Sequence, residues 1–470
     1  MSINTRIKWI ACCALVIALS NCSAPEETPD SAPEVTPPDW SGKNCLVVVL
    51  DALTVNHLAM WGYDRETTPN IDRLASRGVV FKYARSQASS TPPSAYSYFT
   101  GRYPPLLLLE KAMHIVQLPE EKKTFAEAFK DAGYDTGGFS GNLFVSPKAG
   151  FDQGFDKFDL ILRHLPLSSG KIKLDEDSTT KLFESAKNWI QSREDNPWLC
   201  YLHILRPHNP YRAPDPLGSA FAGDYDGPVD GSDAYWESVG WAPKRKHMPH
   251  LEDYYDGNLL YVDSMLGGFI DTLEQSGDLE DTVIIVTSDH GEAFMEHGQV
   301  LHNSTVHEEM IRVPLVVVPP NDESVTATTI SQPVQLVDLF PTLATLFKLQ
   351  TPPDRDGISL AGMLNGGSIE DRPTFSQDGN GDIMCIVDNG QKLMLGYNPS
   401  ESMFTPIALY FLTRDPGETL NHSDEPPTPA LIAMYERALE YAKSHTQDEA
   451  SVGGNLVEYE RDILETLGYL

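Results

Sequence analysis

NCLVVVLD, residues 44–51, sets an unbroken apolar, β-branched-rich run directly against an aspartate. A strand with one wet face alternates apolar and polar residues. A continuous run reads instead as a strand covered on both faces, the habit of parallel sheets. Asp51 then stands just past the strand's C-terminal end.

Outward from this run the pattern repeats. Trp198 to Leu205 (WLCYLHIL) is a second such strand and runs into Arg206-Pro207-His208. Thr282 to Thr287 (TVIIVT) is a third and runs into Ser288-Asp289-His290-Gly291. Asp135 to Ser140 (DTGGFS) is a weaker strand, and Val313 to Val318 a further apolar one. Helical stretches intervene at Pro69 to Arg77, Phe125 to Ala132 and Tyr254 to Gln275. Alternating helices and apolar strands imply an α/β fold with a mostly parallel sheet sandwiched by helices. Asp51, His208, Asp289 and His290 all fall past strand C-termini, where open α/β sheets bind ligands. From about residue 370 short strands follow one another at Pro373 to Ser376, Ile383 to Val387, Lys392 to Leu395 and Ala408 to Leu412. With helices at Pro429 to Ser444 and Glu458 to Leu467 they suggest a smaller α+β subdomain built on an antiparallel sheet. The expected organisation is a leader over 1–22, a disordered tether over 23–42, a catalytic domain over 43–350 and the subdomain over 351–470.

The chain has 470 residues, with 35 Lys+Arg against 67 Asp+Glu and a net charge of −32. That field excludes nucleic-acid binding through the bulk surface. Arg6 and Lys8 precede an apolar stretch, Trp9 to Leu19, too short to span a bilayer comfortably. Leu19-Ser20-Asn21-Cys22 resembles a bacterial lipobox, with Cys22 as the lipidated mature N-terminus. Cleavage after Ser20 by an ordinary signal peptidase is the alternative. Either implies export to the cell envelope, with membrane contact only through an N-terminal lipid. The Pro/Glu/Ser/Thr-rich stretch that follows reads as a tether. Cys45 and Cys200 lie in apolar runs and read as buried thiols rather than a disulfide framework.

SSTPPSAYSYFTGRY, residues 89–103, supplies a hydroxyl. Ser/Thr before Pro marks a helix start, with Thr91 as N-cap and Pro92 as first helical residue. A helix start favours anions, so a sulfate or phosphate could lie against Thr91; an ordinary capped turn would read the same way. Asp51, Asp289 and His290 could join the Thr91 hydroxyl around a divalent metal that lowers the hydroxyl's pKa and polarises an anionic substrate. Singly, Asp51 would serve as a helix cap, Asp289-His290-Gly291 as a turn and His208 as a loop histidine. Their joint placement at strand ends favours a site.

These blocks resemble the sulfatase-like branch of the alkaline phosphatase superfamily over most of residues 44–470. Asp51 to Leu74 (DALTVNHLAMWGYDRETTPNIDRL) is similar to the family's opening block, and Thr91-Pro-Pro-Ser94 with Thr100-Gly101-Arg102-Tyr103-Pro104 to its nucleophile block. Gly150 to Asp156 (GFDQGFD), Pro207 to Tyr211 (PHNPY), Ser288 to Glu292 (SDHGE), Glu308-Glu309 with Arg312-Val313-Pro314, Asp415 to Glu418 (DPGE) and Leu467 to Leu470 (LGYL) add to it. The resemblance implies Asp51, Asp289 and His290 as metal ligands and Thr91 as the nucleophile. It implies His208 on the substrate's anionic oxygens or leaving group, and His302 neutralising the transferred group. Asn142, just past the weaker strand at Asp135 to Ser140, is a candidate substrate contact.

Three positions depart from the family. Thr91 replaces the Cys or Ser that becomes formylglycine, so no formylglycine is expected. Ala95 replaces an Arg, and Ala52 replaces a second Asp. A hydrated aldehyde releases sulfate by collapse of a hemiacetal, whereas a threonine ester must be displaced by water or an acceptor alcohol. The expected activity is metal-dependent hydrolysis of sulfate esters on a small molecule or glycan. Phosphate or phosphonate ester cleavage, or phosphoryl transfer to a lipid or glycan, is the first alternative. A non-catalytic glycan-binding lipoprotein is the second. One divalent ion is expected, Ca²⁺ foremost and Mn²⁺ or Zn²⁺ also compatible. The Gly/Pro/aromatic-rich stretch from Pro210 to His250 reads as the loop that sets the substrate body.

Overall fold

The computed structural model describes residues 35–106, 114–166, 172–174, 178–194, 196–321, 325–446 and 451–455. The leader, the tether up to residue 34, the helix expected at Glu458 to Leu467 and the ending LGYL lie outside the described residues. Of the stretch expected as tether, 35–42 packs on the domain: Trp40 is buried and its N–H donates to the Leu346 carbonyl at 2.7 Å. An indole buries too much apolar area to be left in solvent.

In chain order the elements used below are β1 (Asn44–Leu50), α1 (Pro69–Ala75), β2 (Val79–Phe81), α2 (Thr91–Thr100), β3 (Asp135–Ser140), β4 (Lys157–Leu160), β5 (Trp198–Ile204), α3 (Asp233–Ser238), α4 (Met248–Ser276), β6 (Thr282–Thr287), β7 (Ala293–Phe294), β8 (Val300–Leu301), α5 (Glu308–Ile311), β9 (Leu315–Val318), β10 (Thr328–Ile330), α6 (Leu339–Phe347), β11 (Thr374–Gln377), β12 (Ile383–Asp388), β13 (Gln391–Asn398), β14 (Met403–Phe411) and α7 (Pro429–His445). The main sheet runs β10-β2-β9-β6-β1-β5-β3-β4. The centre is parallel, with β1 between β6 and β5. The fold is the expected α/β sandwich.

The strand read at Val313 to Val318 begins at Leu315 and is antiparallel to both β6 and β2. Its direction follows from the connection. The chain leaves β6 at the site edge and comes back down the neighbouring position after the short α5, with no crossover helix to turn it round.

Burial on both faces of β1 explains its composition. Val47 and Val49 point into one core with Tyr98, Phe99 and Phe125, and Leu46, Val48 and Leu50 into the other with α4. In β5 the same alternation puts Tyr201 on the α2 side, and His203, two residues on, shares that side.

Helix α2 begins one residue earlier than the sequence implied. Ser90, extended at φ −154°, is the N-cap position, and Thr91 is the first helical residue. Two prolines still fit inside the first turn, where no N–H is required of them. They remove two donors, however, and the Ser94 N–H is taken by the Ser90 carbonyl at 3.3 Å. The helix start therefore offers its dipole and little more than the Thr91 N–H. Gly101 ends the helix at φ +69°, a conformation in which a Cβ would also crowd Pro341.

The small sheet runs β11-β12-β13-β14 with α7 packed on it, as expected. A buried ion cluster ties it to the main domain. Arg85 grips Glu308 through two contacts of 3.0 and 2.8 Å. Lys392 of β13, itself fully buried, reaches Glu308 at 3.1 Å and Glu418 at 2.8 Å. The Glu308 N–H donates to Glu418 at 2.6 Å.

Beside the cluster, His297 contacts Glu309 through Nδ1 at 2.7 Å and the Glu418 carbonyl through Nε2 at 3.2 Å. Both partners are acceptors, so the ring is an imidazolium. The Glu309 contact raises its pKa to about 8. It stacks on His307, whose ring centre is 3.8 Å away and whose pKa burial and Lys392 depress to about 3. A raised histidine pKa stabilises the fold below the ordinary value near 6.5, and that contribution is lost as pH rises through about 8. The melting temperature is therefore expected to fall between pH 6.5 and 9, and His297→Gln to flatten that limb. An unaltered limb in the variant would contradict this.

Candidate active site

Four strand ends of the main sheet converge at one edge, and α2 brings its first residue to them. The Thr91 hydroxyl lies 3.3 Å from His290 Nε2. The His290 Nδ1 position is 2.9 Å from the Gly291 carbonyl, which can only accept, so Nδ1 carries a proton and Nε2 is the ring atom turned toward Thr91 and the carboxylates. His208 has the same arrangement, with Nδ1 2.7 Å from the Asn209 carbonyl.

Asp51 divides its two oxygens. Oδ2 accepts from Asn142 Nδ2 at 2.5 Å and lies 3.1 Å from His203 Nε2. Oδ1 is buried without a hydrogen-bond partner and lies 3.7 Å from His290 Nε2. Asp289 is divided likewise. Oδ1 accepts from the Ala52 N–H at 3.2 Å and the His290 N–H at 3.0 Å, while Oδ2 has no hydrogen-bond partner. Oδ2 sits 3.5 Å from His290 Nε2 and 4.0 Å from His203 Nε2. The Ser94 hydroxyl holds the Asp289 carbonyl, and Ser288 braces the His290 carbonyl at 2.6 Å.

The site is therefore two buried carboxylates, each with one oxygen fixed and one oxygen spare, beside the Nε2 atom of His290. Burial works against the Asp51 charge, but His208, His203 and His290 hold its carboxyl well below the usual range. Burial and the Asp51 charge together push Asp289 up. A divalent cation relieves this mutual repulsion and gives both spare oxygens a partner. Asp51, His203 and Asp289 offer ligand atoms within 4.8 Å of one another, so these residues fit a metal ion.

His203 was hidden in the sequence. It continues a chain in which the Tyr98 hydroxyl meets Tyr201 at 2.9 Å and the Tyr201 hydroxyl meets His203 Nδ1 at 2.9 Å. Asn142, at the end of β3, is 2 % exposed and spends its amide on Asp51. Asn142→Ala is expected to weaken divalent-cation binding by about 10- to 100-fold, the usual cost of removing a group that orients a ligand. Titration calorimetry would read it, and an unchanged affinity would remove Asn142 from that role.

His302 comes from the hairpin of β7 and β8. Its ring centre is 4.4 Å from that of His290 and 4.8 Å from that of His208. Its Nδ1 is 2.9 Å from Glu292 Oε1. Burial raises the Glu292 carboxyl to about 7, and burial with His290 alongside depresses His302 well below the ordinary value. The backbone around His302 is unusual: Met295, Leu301 and Asn303 have φ of 71°, 63° and 77°. Left-handed conformations at such residues are disfavoured and collect where a side chain must be aimed. Ala52, beside Asp51, is another at φ 59°. All the residues singled out by sequence thus meet at this edge, and His203 and Glu292 join them.

A family model described as Sulfatase matches residues 43–349. An ulvan-active sulfatase of Formosa agariphila is 25% identical, over 79% of this chain and 74% of that protein. A Δ4,5-hexuronate-2-O-sulfatase of Bacteroides thetaiotaomicron is 21% identical, over 86% of this chain and 90% of that protein. Among solved structures, the phosphonate monoester hydrolase of Agrobacterium radiobacter superposes with a TM-score of 0.68 at 20% identity, over 88% of this chain and all of that one.

Proposed function

The chain belongs to the sulfatase family, whose members are ester hydrolases, and from that premise we propose that it cleaves sulfate esters by direct attack of Thr91. The observation that carries this is the Thr91 hydroxyl, 3.3 Å from His290 Nε2 beside two carboxylate oxygens with no other partner. A divalent ion bound by Asp51, Asp289 and His290, with His203 also in reach, would lower the hydroxyl's pKa and draw charge from the substrate's oxygens. Two imidazoles among the donors suit Mn²⁺ or Zn²⁺ better than Ca²⁺, which prefers six to eight oxygens.

The chain's own residues account for the remaining steps. Thr91 Oγ, its proton released to solvent, bonds to sulfur as the bond from sulfur to the alcohol oxygen breaks. His208, protonated as the anionic ester enters beside it, gives that oxygen a proton. Water must then attack the sulfur of the threonine ester, since Thr91 has no route to collapse by itself; the bond from sulfur to Thr91 Oγ breaks, sulfate leaves and the Thr91 oxygen regains a proton from solvent. His302 takes the water's proton, held in orientation by Glu292 on its Nδ1. Asn142 positions Asp51, and substrate contact belongs to His208 and His302.

Thr91 also favours a second reading. Direct displacement serves a phosphate or phosphonate ester as well as a sulfate ester, and an acceptor alcohol could replace water. Purified protein assayed with a metal series on paired aryl sulfate, phosphate monoester, phosphate diester and phosphonate substrates separates these readings. Sulfate turnover well above the others is expected. Preference for a phosphorus ester would transfer the assignment to the second reading, and no turnover of any substrate would refute both.

Among the described residues no helix is long and apolar enough to cross a membrane. We assign the chain to the cell envelope on its leader, with Cys22 as the anchor.

A further inference from the structure

The stretch expected to set the substrate body folds as loop, a short α3 and the start of α4. It ends in Lys244-Arg245-Lys246-His247, with His250 three residues on. In a chain of net charge −32 this is a conspicuous cationic run. Lys244, Arg245 and Lys246 are exposed, and among the described residues none of them is paired with a carboxylate. The charge is felt locally: burial, then Lys246 and Lys244, lower the His247 pKa. The run also stands at the wrong end of a helix. It immediately precedes α4, 29 residues long, whose first turn holds no acidic residue. A helix N-terminus disfavours cations, so cations and dipole here repel each other and together attract an anion. A local rule broken without compensation points to a ligand rather than to stability.

The run is fixed relative to the catalytic edge. Arg245 donates to the Met295 carbonyl at 3.0 Å, in the turn of the β7–β8 hairpin that carries His302. An aromatic path connects the same two places. Tyr211, three residues past His208, packs edge-on to Trp236 of α3 with ring centres 5.6 Å apart. Trp236 stacks on the half-buried Trp241 at 5.5 Å, three residues before Lys244.

We propose that Lys244 and Lys246, with Trp241 beside them, dock a second anionic group of a polyanionic saccharide while another ester of the same chain lies at Thr91. Trp241 offers a sugar face a flat apolar surface, and the lysines offer a sulfate, phosphate or carboxylate its counter-charge. The acidic bulk of the protein repels a polyanion, so productive approach needs such a patch. This rests on the ester-hydrolase reading of the centre and adds to it that the substrate is polymeric and multiply charged.

The test is binding of a heparin-derived hexasaccharide and its desulfated counterpart to the intact protein, measured by calorimetry. The sulfated ligand should bind preferentially, and the charge reversal Lys244→Glu/Lys246→Glu should weaken it about ten-fold, ~1.4 kcal/mol. Lys244→Gln/Lys246→Gln should weaken it by about three-fold, the scale of two exposed ion pairs. The parent's affinity should fall between about 0.05 and about 0.5 M NaCl, and the reversed variant's should fall less. Melting curves confirm that the variants are folded. Equal affinity in parent and variants, or for sulfated and desulfated ligand, overturns the proposal. So does patch-dependent binding to phosphatidylglycerol vesicles with no binding of the hexasaccharide, which would make this a membrane surface. Patch-dependent saccharide binding without turnover of any ester supports the docking site while refuting the ester-hydrolase reading.

Discussion

Thr91→Ala is expected to lower turnover of the preferred ester by at least about 10⁴-fold, ~5 kcal/mol of transition-state stabilisation. The side chain is small and at the first position of α2, so its removal leaves the helix, its Gly101 terminus and the packing of Tyr98 and Phe99 in place. What is lost is the hydroxyl that, among the described residues, lies against His290 Nε2. Without it water must attack the ester directly, unaided by a covalent intermediate. Cation affinity should change far less than turnover, because the carboxylates and imidazoles remain. A variant that keeps a tenth or more of the parent rate would remove Thr91 as nucleophile. A variant that also loses the cation would show that the hydroxyl was chiefly a ligand. Intact-mass analysis of the parent during turnover should reveal the Thr91 ester if its breakdown is slow.

Lys392→Met should have the largest effect on stability, a loss of about 3–5 kcal/mol. Lys392 is fully buried between Glu308 and Glu418. Methionine fills a similar volume, so little of the effect is a cavity. The loss arises because, among the described residues, Glu418 loses the lysine it is ion-paired with and Glu308 keeps only its pairing with Arg85. Glu308 is held well below the usual carboxylate range despite its burial, with Arg85 and Lys392 responsible. Glu308→Gln in the Lys392→Met background should therefore recover part of the loss, since the two sites share one network. Urea unfolding would measure both. A loss under about 1 kcal/mol would mean that the cluster relaxes or hydrates when opened.

Much of the site was legible because chemistry and position coincide in Asp51, His208, Asp289 and His290. Each is polar, and each sits one or a few residues past an apolar run, where a parallel sheet presents its ligand edge. His203 was illegible for the same reason that the strands were legible: inside WLCYLHIL it reads as a core residue. The available signal was that Tyr201 and His203, two apart in a strand buried on both faces, are polar on one face only. Glu292 gains its meaning from His302, ten positions on, which the β7–β8 hairpin folds back upon it. The reversed direction of β9 is set by the missing crossover helix, not by its own residues. Lys392 meets Glu308 across 84 residues, a contact that no local pattern encodes. The one-residue shift at Thr91 puts Ser90 at the N-cap position without a side-chain cap bond, so the capping signal read at Thr91 did not locate the helix start.

The small sheet also reaches the catalytic edge through main chain alone. The Gln377 N–H donates to the Gln87 carbonyl at 2.9 Å, and the Ser89 N–H to the Gln377 carbonyl at 3.0 Å. Asn303, next to His302, donates from its N–H to the Ser89 carbonyl at 2.8 Å and accepts from the Gly379 N–H at 2.9 Å. Backbone partners are indifferent to side-chain identity but intolerant of displacement. For inheritance and for chimera-making, the indivisible unit is thus the large sheet plus the strand that ends at Gln377. Exchanging the C-terminal third for that of a relative would trade more than surface. It would replace the splint on which the segment two residues before Thr91 is set.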